Sequence, residues 1–147
     1  MKHLVLLIED SPDIHNLVRF HLRKEAMTIK HAYDGMSGMN LVRELRPNLI
    51  LLDVELPDMT GIEICRLLKA NATTKPIPII FISGHSDVAQ MAEALDAGGV
   101  DYVTKPFNPL EIRARIRSAI RAKENSDELK TINNALEDAA SRENRRT

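Results

Sequence analysis

Carboxylates, a hydroxyl and an ammonium stand where the apolar runs of this chain stop. Glu9 and Asp10 follow the run 4–8, Asp53 follows 49–52, Ser83 follows 77–82 and Lys105 follows 100–104. Brought to one place, three carboxylates repel: two unit charges about 4 Å apart at an effective dielectric near 20 cost roughly 4 kcal/mol. Against a total stability of about 5–15 kcal/mol, that cost demands compensation. Lys105 balances one charge, and a hard divalent cation suits the remainder. Oxygen donors without His or Cys favour Mg²⁺ over Zn²⁺. An aspartate beside Mg²⁺, with an ammonium and a hydroxyl placed for neighbouring oxygens, is suited to becoming an acyl phosphate. Asp53 would be the nucleophile, the metal would neutralise phosphoryl oxygens, and Lys105 and Ser83 would take the others. No general base is needed, because a carboxylate has no proton to lose. The five histidines are scattered over helix, strand and loop positions, and only His85 falls beside this set.

What must bring these groups together is a parallel sheet. The runs 4–8 and 49–52 are uninterrupted, apolar and too short for helices, the pattern of strands buried on both faces. Residues 27–32 read as a more exposed strand, 77–82 as a fourth with Pro78 tolerated near its start, and 100–104 as a short fifth. Between them, apolar residues recur at helical spacing. Ser11 and Pro12 open a helix carrying Ile14, Leu17, Val18 and Leu22 to about residue 24. Met36, Met39, Leu41, Val42 and Leu45 mark a second that stops before Pro47, and Ile62, Ile64, Cys65, Leu67 and Leu68 line a third after Gly61. A fourth spans about residues 87–97 and ends at Gly98-Gly99, and Pro109 opens a fifth with Leu110, Ile112, Ile116, Ala119 and Ile120 facing the sheet. Parallel neighbours need crossover connections, which are nearly always right-handed. Five strands alternating with five helices therefore predict an α/β domain whose strands end at one edge, where ligands of open parallel sheets gather.

Bulk properties bound the rest. The 147 residues support one domain with a real core and an appendage, and 44% hydrophobic with 28% charged residues is an ordinary globular composition. A formal net charge of −1 offers no electrostatic case for nucleic acid, so no such partner is expected. The single cysteine, Cys65, excludes an intrachain disulfide and a Cys-rich metal site and fits a reducing compartment. The first apolar run is too short for a signal peptide or a membrane span, so a cytoplasmic protein without a membrane partner is expected.

The joint pattern resembles the receiver domain of two-component response regulators across roughly residues 2–122. The residues that carry the resemblance are Glu9-Asp10, Asp53, Pro57 and Gly61 in the loop beyond it, Ser83, and Lys105-Pro106-Phe107. The resemblance implies a flavodoxin-like doubly wound sheet of strand order 2-1-3-4-5 with five helices. It also implies that Asp53 accepts a phosphoryl group from a histidine kinase or phosphotransfer protein. By the same resemblance, Glu9, Asp10, Asp53 and the main-chain carbonyl of Glu55 would hold Mg²⁺. Lys105 would pair with the phosphoryl group, its peptide to Pro106 being cis. Ser83 and Tyr102 would form a switch, the hydroxyl moving toward the phosphoryl group and Tyr102 turning inward. That would remodel the face made by the fourth helix, fifth strand and fifth helix, used in the family for dimers and partners. Chemistry of this kind is self-phosphorylation and self-dephosphorylation rather than turnover of a substrate.

Two departures from the family pattern stand out. Gly84 replaces the usual alanine, and Gly98-Gly99 doubles a glycine, which predicts mobility around the fourth helix. Glu55 and His85 sit where members vary and where side chains reach the attacking water. Residues 1–122 are thus expected to be the receiver, and residues 123–147 a helical stalk, because the fifth helix has no stop signal. Leu129, Ile132, Leu136 and Ala139 follow a three-four spacing, a coiled-coil seam that implies a homodimer. A solvated tail is the bland alternative. The stalk is similar to those preceding a diguanylate cyclase or a comparable output domain, so the chain is either a single-domain regulator or part of a longer one. A competing enzyme reading, a phosphatase with Asp53 as turnover nucleophile, expects a second Asp at position 55, where Glu55 stands. A partner-binding domain without phosphoacceptance is disfavoured by the presence of every acceptor residue.

Overall fold

The computed structural model describes residues 2–146. Its elements alternate throughout: β1 His3–Ile8, α1 Pro12–His21, β2 Met27–Ala32, α2 Gly35–Leu45, β3 Leu49–Asp53, α3 Gly61–Ala70, β4 Ile79–Ser83, α4 Val88–Asp96, β5 Asp101–Thr104 and α5 Pro109–Arg146. The strands form one parallel sheet of order β2-β1-β3-β4-β5, the doubly wound topology that the resemblance implies.

Alternation along the strands divides the core into two layers. Leu6, Ile8, Ile50, Leu52, Ile79 and Phe81 point to the side covered by Val42, Ile64, Leu68 and Ala94 of α2, α3 and α4. Val5, Leu7, Leu49, Leu51, Ile80, Ile82 and Val103 point to the side covered by Val18 of α1 and Ile112, Ile116 and Ile120 of α5. β3 and β4 are buried along their whole length, while β2, at one edge, alternates between half-buried and exposed residues until the buried Ala32.

The helix termini follow local chemistry. Asp34 accepts from the Ser37 amide at the start of α2, Thr60 from Glu63 at α3 and Asp87 from Ala89 at α4. Gly98 ends α4 with φ at 121°, a backbone conformation that a side chain disfavours. Two strands start later than the apolar runs suggest. β4 begins at Ile79 because Pro78 has no amide hydrogen, although its carbonyl still accepts from the Ile50 amide at 3.0 Å. β5 begins at Asp101, and Val100 is exposed, though its amide already donates to the Ile79 carbonyl at 2.9 Å. α5 runs unbroken through Arg146, so the stalk expected from residue 123 onward is helical throughout its described part; Thr147 lies outside the described residues.

Candidate functional site

Strand register, rather than any local motif, assembles the candidate site. Ile8 lies opposite Leu52, which sets Glu9 beside Asp53; Asp53 lies opposite Ile82, and Ser83 opposite Thr104, which sets Ser83 and Lys105 on the far side. The Lys105 amide donates to the Ser83 carbonyl at 2.7 Å, and the Lys105–Pro106 peptide is cis.

Glu9, Asp10 and Asp53 each present an oxygen within 4.8 Å of the others. Glu9 is 1% and Asp53 3% exposed, whereas Asp10 is open to solvent. Lys105 Nζ stands 2.8 Å from Glu9 Oε2 and 3.3 Å from Asp53 Oδ2. Asp53 Oδ1 accepts from the Glu55 amide at 3.1 Å, and Glu9 Oε1 from the Ser11 amide at 3.2 Å. Glu9 Oε2 is different. It is buried and close to the ammonium in distance, but it is not aligned for a hydrogen bond. Burial raises the Glu9 pKa to about 7, with Asp53 adding to the rise and Lys105 opposing it. For Lys105, burial alone would lower the pKa, but the Glu9 and Asp53 carboxylates outweigh it and the net direction is upward.

A buried carboxylate oxygen with an ammonium near it but no aligned hydrogen bond, set among three acids, is the feature that a hard cation would resolve. The donors are all oxygens, as Mg²⁺ prefers, so the residues fit that metal. Glu55, whose carbonyl the resemblance assigns to the metal, lies on the loop just beyond, in an isolated antiparallel bridge with Thr60. Its carboxylate meets His85 Nε2 at 2.9 Å, both side chains being exposed at the rim. Gly61 closes the loop by passing against β3: its amide donates to the Val54 carbonyl at 2.8 Å, and a Cβ there would stand 2.2 Å from the Asp53 carbonyl oxygen.

The two residues expected to form a switch are joined by a third that strand-end reasoning misses. Ser83 Oγ donates to Gln90 Oε1 at 3.1 Å, and Tyr102 Oη donates to the same oxygen at 2.6 Å. The Tyr102 ring is already inside, 5% exposed, so in this structure there is no outward starting point for the expected inward turn. The only sequence signal for Gln90 is an amide within the first turn of a helix whose inner face otherwise carries Met91 and Ala94.

The fold also pairs two histidines that look scattered in sequence. His15 Nε2–H donates to the Glu9 carbonyl at 2.6 Å, leaving Nδ1 to accept from His31 Nδ1–H at 2.6 Å; His31 Nε2 then accepts from Arg19 at 2.9 Å. Both rings are held neutral, as this chain of donors requires. Burial lowers the His15 pKa, and burial with the neighbouring His15 and Arg19 lowers that of His31 to about 4. The chain of rings pins the backbone at Glu9 and thereby supports the acidic cluster.

Known proteins share this sequence pattern and fold. A model of the response regulator receiver domain matches residues 5–117. The DNA-binding response regulator MtrA of Mycolicibacterium smegmatis is 37% identical over 124 residues, covering 84% of this chain and 53% of MtrA. The DNA-binding dual master transcriptional regulator RpaA of Synechocystis is 34% identical over 117 residues, 80% of this chain and 48% of RpaA. A CheY-like response regulator receiver domain protein from Methanospirillum hungatei superposes with a TM-score of 0.78 at 25% identity, covering 86% of this chain and 99% of the other. The chain spans about half the length of the curated relatives it matches.

These relatives overturn the expectation that nucleic acid is not a partner. Net charge describes only these 147 residues. It says nothing about the half of each relative that the chain does not match, so it was never a ground for excluding DNA. Among the described residues, no helix is long and apolar enough to cross a membrane.

Proposed function

The chain belongs to the response regulator receiver family, and from that premise we propose that Asp53 is its phosphoacceptor in a two-component relay. The observation that carries this reading is the convergence of Glu9, Asp10 and Lys105 on the Asp53 carboxylate, with one buried Glu9 oxygen lacking an aligned hydrogen bond. An Asp53 oxygen attacks the phosphorus of a phosphohistidine, the phosphorus–nitrogen bond breaks, and the imidazole leaves with its electron pair and takes up a proton. Glu9, Asp10, Asp53 and the Glu55 carbonyl would hold Mg²⁺, which when bound neutralises phosphoryl charge. Lys105 turns from Asp53 to a phosphoryl oxygen, and Ser83 offers its hydroxyl to another. The added charge, about −1.5 to −2, is then read through Ser83 and Tyr102 by α4, β5 and α5.

The signal's end point is proposed by analogy with MtrA and RpaA, which are DNA-binding regulators: α5 and the α4-β5-α5 face would convey phosphorylation to nucleic-acid binding. Incubation with a small phosphodonor and Mg²⁺ should add one phosphoryl mass to the wild-type chain and none to Asp53→Asn. Equal labelling of the two proteins refutes the assignment, and steady release of inorganic phosphate from phosphoesters would favour a phosphatase instead.

A further inference from the structure

Ser83 Oγ carries one proton, and in this structure Gln90 Oε1 receives it at 3.1 Å. The His85 amide donates back to Ser83 Oγ at 3.1 Å, which occupies one of its lone pairs. Tyr102 Oη also has one proton and two acceptors in reach, Gln90 Oε1 at 2.6 Å and the His85 carbonyl at 3.1 Å, and the shorter contact takes it. One amide oxygen on the first turn of α4 therefore gathers both hydroxyl protons. The arrangement is exclusive at Ser83: a hydroxyl that donates to Gln90 cannot donate to a phosphoryl oxygen at the same time.

We propose that Gln90 is a positioning residue that competes with the phosphoryl group for the Ser83 proton and passes the outcome to Tyr102. This rests on the reading of Asp53 as the phosphoacceptor. When Ser83 turns to the phosphoryl group, Gln90 Oε1 loses one donor and is left with Tyr102 alone. The side chain, and with it the start of α4, is then free to follow Tyr102 rather than Ser83. The state of the pocket is thereby written into the contact between α4 and β5, two elements of the face that the receiver presents.

Competition makes a signed prediction that a packing role does not. Gln90→Met keeps the length of the side chain and removes the acceptor, so Ser83 is released. Gln90→Glu offers a stronger acceptor and holds it. With beryllofluoride as the phosphoryl probe and Mg²⁺ present, titration calorimetry on the full chain should show Gln90→Met binding tighter and Gln90→Glu binding weaker than wild type. Each change is expected to be about two- to tenfold, the net worth of one hydrogen bond. In a Ser83→Ala background both effects should shrink below about twofold, since the contested proton is gone. The aromatic NMR signals of Tyr102, referenced to the other tyrosine, Tyr33, should respond to the probe in wild type and much less in Gln90→Met.

Shifts in the same direction for Met and Glu overturn the proposal, as does an effect that persists in Ser83→Ala. Should wild type fail to bind the probe and Asp53→Asn label like wild type, the phosphoacceptor reading falls and takes this inference with it. Labelling that depends on Asp53, together with indifference to Gln90, refutes the coupling alone.

Discussion

At the scale of the residue, Glu9 is where the cost of the site is concentrated. Its folded pKa of about 7 lies above its ordinary value of 4.5, so between these pH values the folded chain holds a proton that the unfolded chain has lost. Stability without a divalent cation should therefore fall as pH rises from about 4.5 to 7. Glu9→Gln should remove that fall and raise stability at pH 8 by about 1–2 kcal/mol, once the lost partner of Lys105 is discounted. Urea titrations at pH 5 and 8 check both. The metal reverses the sign: Mg²⁺ needs the carboxylate ionised, so its affinity should drop by about tenfold per unit of pH below 7, read by calorimetry. The acids, Ser83 and Lys105 were legible in sequence because each punctuates an apolar run, and a change of chemistry at a strand end stands out. Gln90 and the His15–His31 pair were not, since they meet their partners only through the packing of a helix onto the sheet.

At the scale of the element, the loop from β3 to α3 decides whether Asp53 is presented correctly. Gly61 sits where a Cβ would come 2.2 Å from the Asp53 carbonyl oxygen, and its nearest neighbours are all backbone atoms of Asp53 and Val54, which cannot swing aside as a side chain could. Gly61→Ala should destabilise the fold by about 1–3 kcal/mol and lower Mg²⁺ affinity as well, because the displaced carbonyl belongs to Asp53, the proposed phosphoacceptor. Chemical unfolding and calorimetry on the same preparation separate the two effects. The glycine was legible as part of a family pattern; its reason, a close approach between chain segments, was visible only in the fold. Element boundaries show the same division. Proline chemistry delays β4 to Ile79, and apolar character alone would have placed the start at Ile77. The alternation of strand and helix, by contrast, needed nothing beyond periodicity.

At the scale of the whole molecule, α5 has two lives. Ile112, Ile116 and Ile120 are buried against the sheet, whereas Leu129, Ile132 and Leu136 are 61%, 47% and 63% exposed on the same helix. We propose that this second stripe pairs with that of a second copy, because among the described residues nothing covers these three large apolar side chains at three-four spacing. Replacing Leu129, Ile132 and Leu136 together by Ser should convert a dimer to a monomer in sizing measurements, with the melting temperature of the domain changed by only a few degrees. A wild-type chain that stays monomeric at high concentration, with and without beryllofluoride, sinks this idea.

The continuity of α5 also has a mechanical meaning. At 1.5 Å per residue, the part beyond residue 122 reaches about 36 Å. A tilt of about 5° at its root, the size of adjustment that repacking one side chain can cause, displaces the far end by about 3 Å. If the proposed switch tilts the root of α5, the length of the continuous helix would enlarge that motion at its far end, and a hinge introduced near residue 122 should uncouple the two ends without touching the pocket.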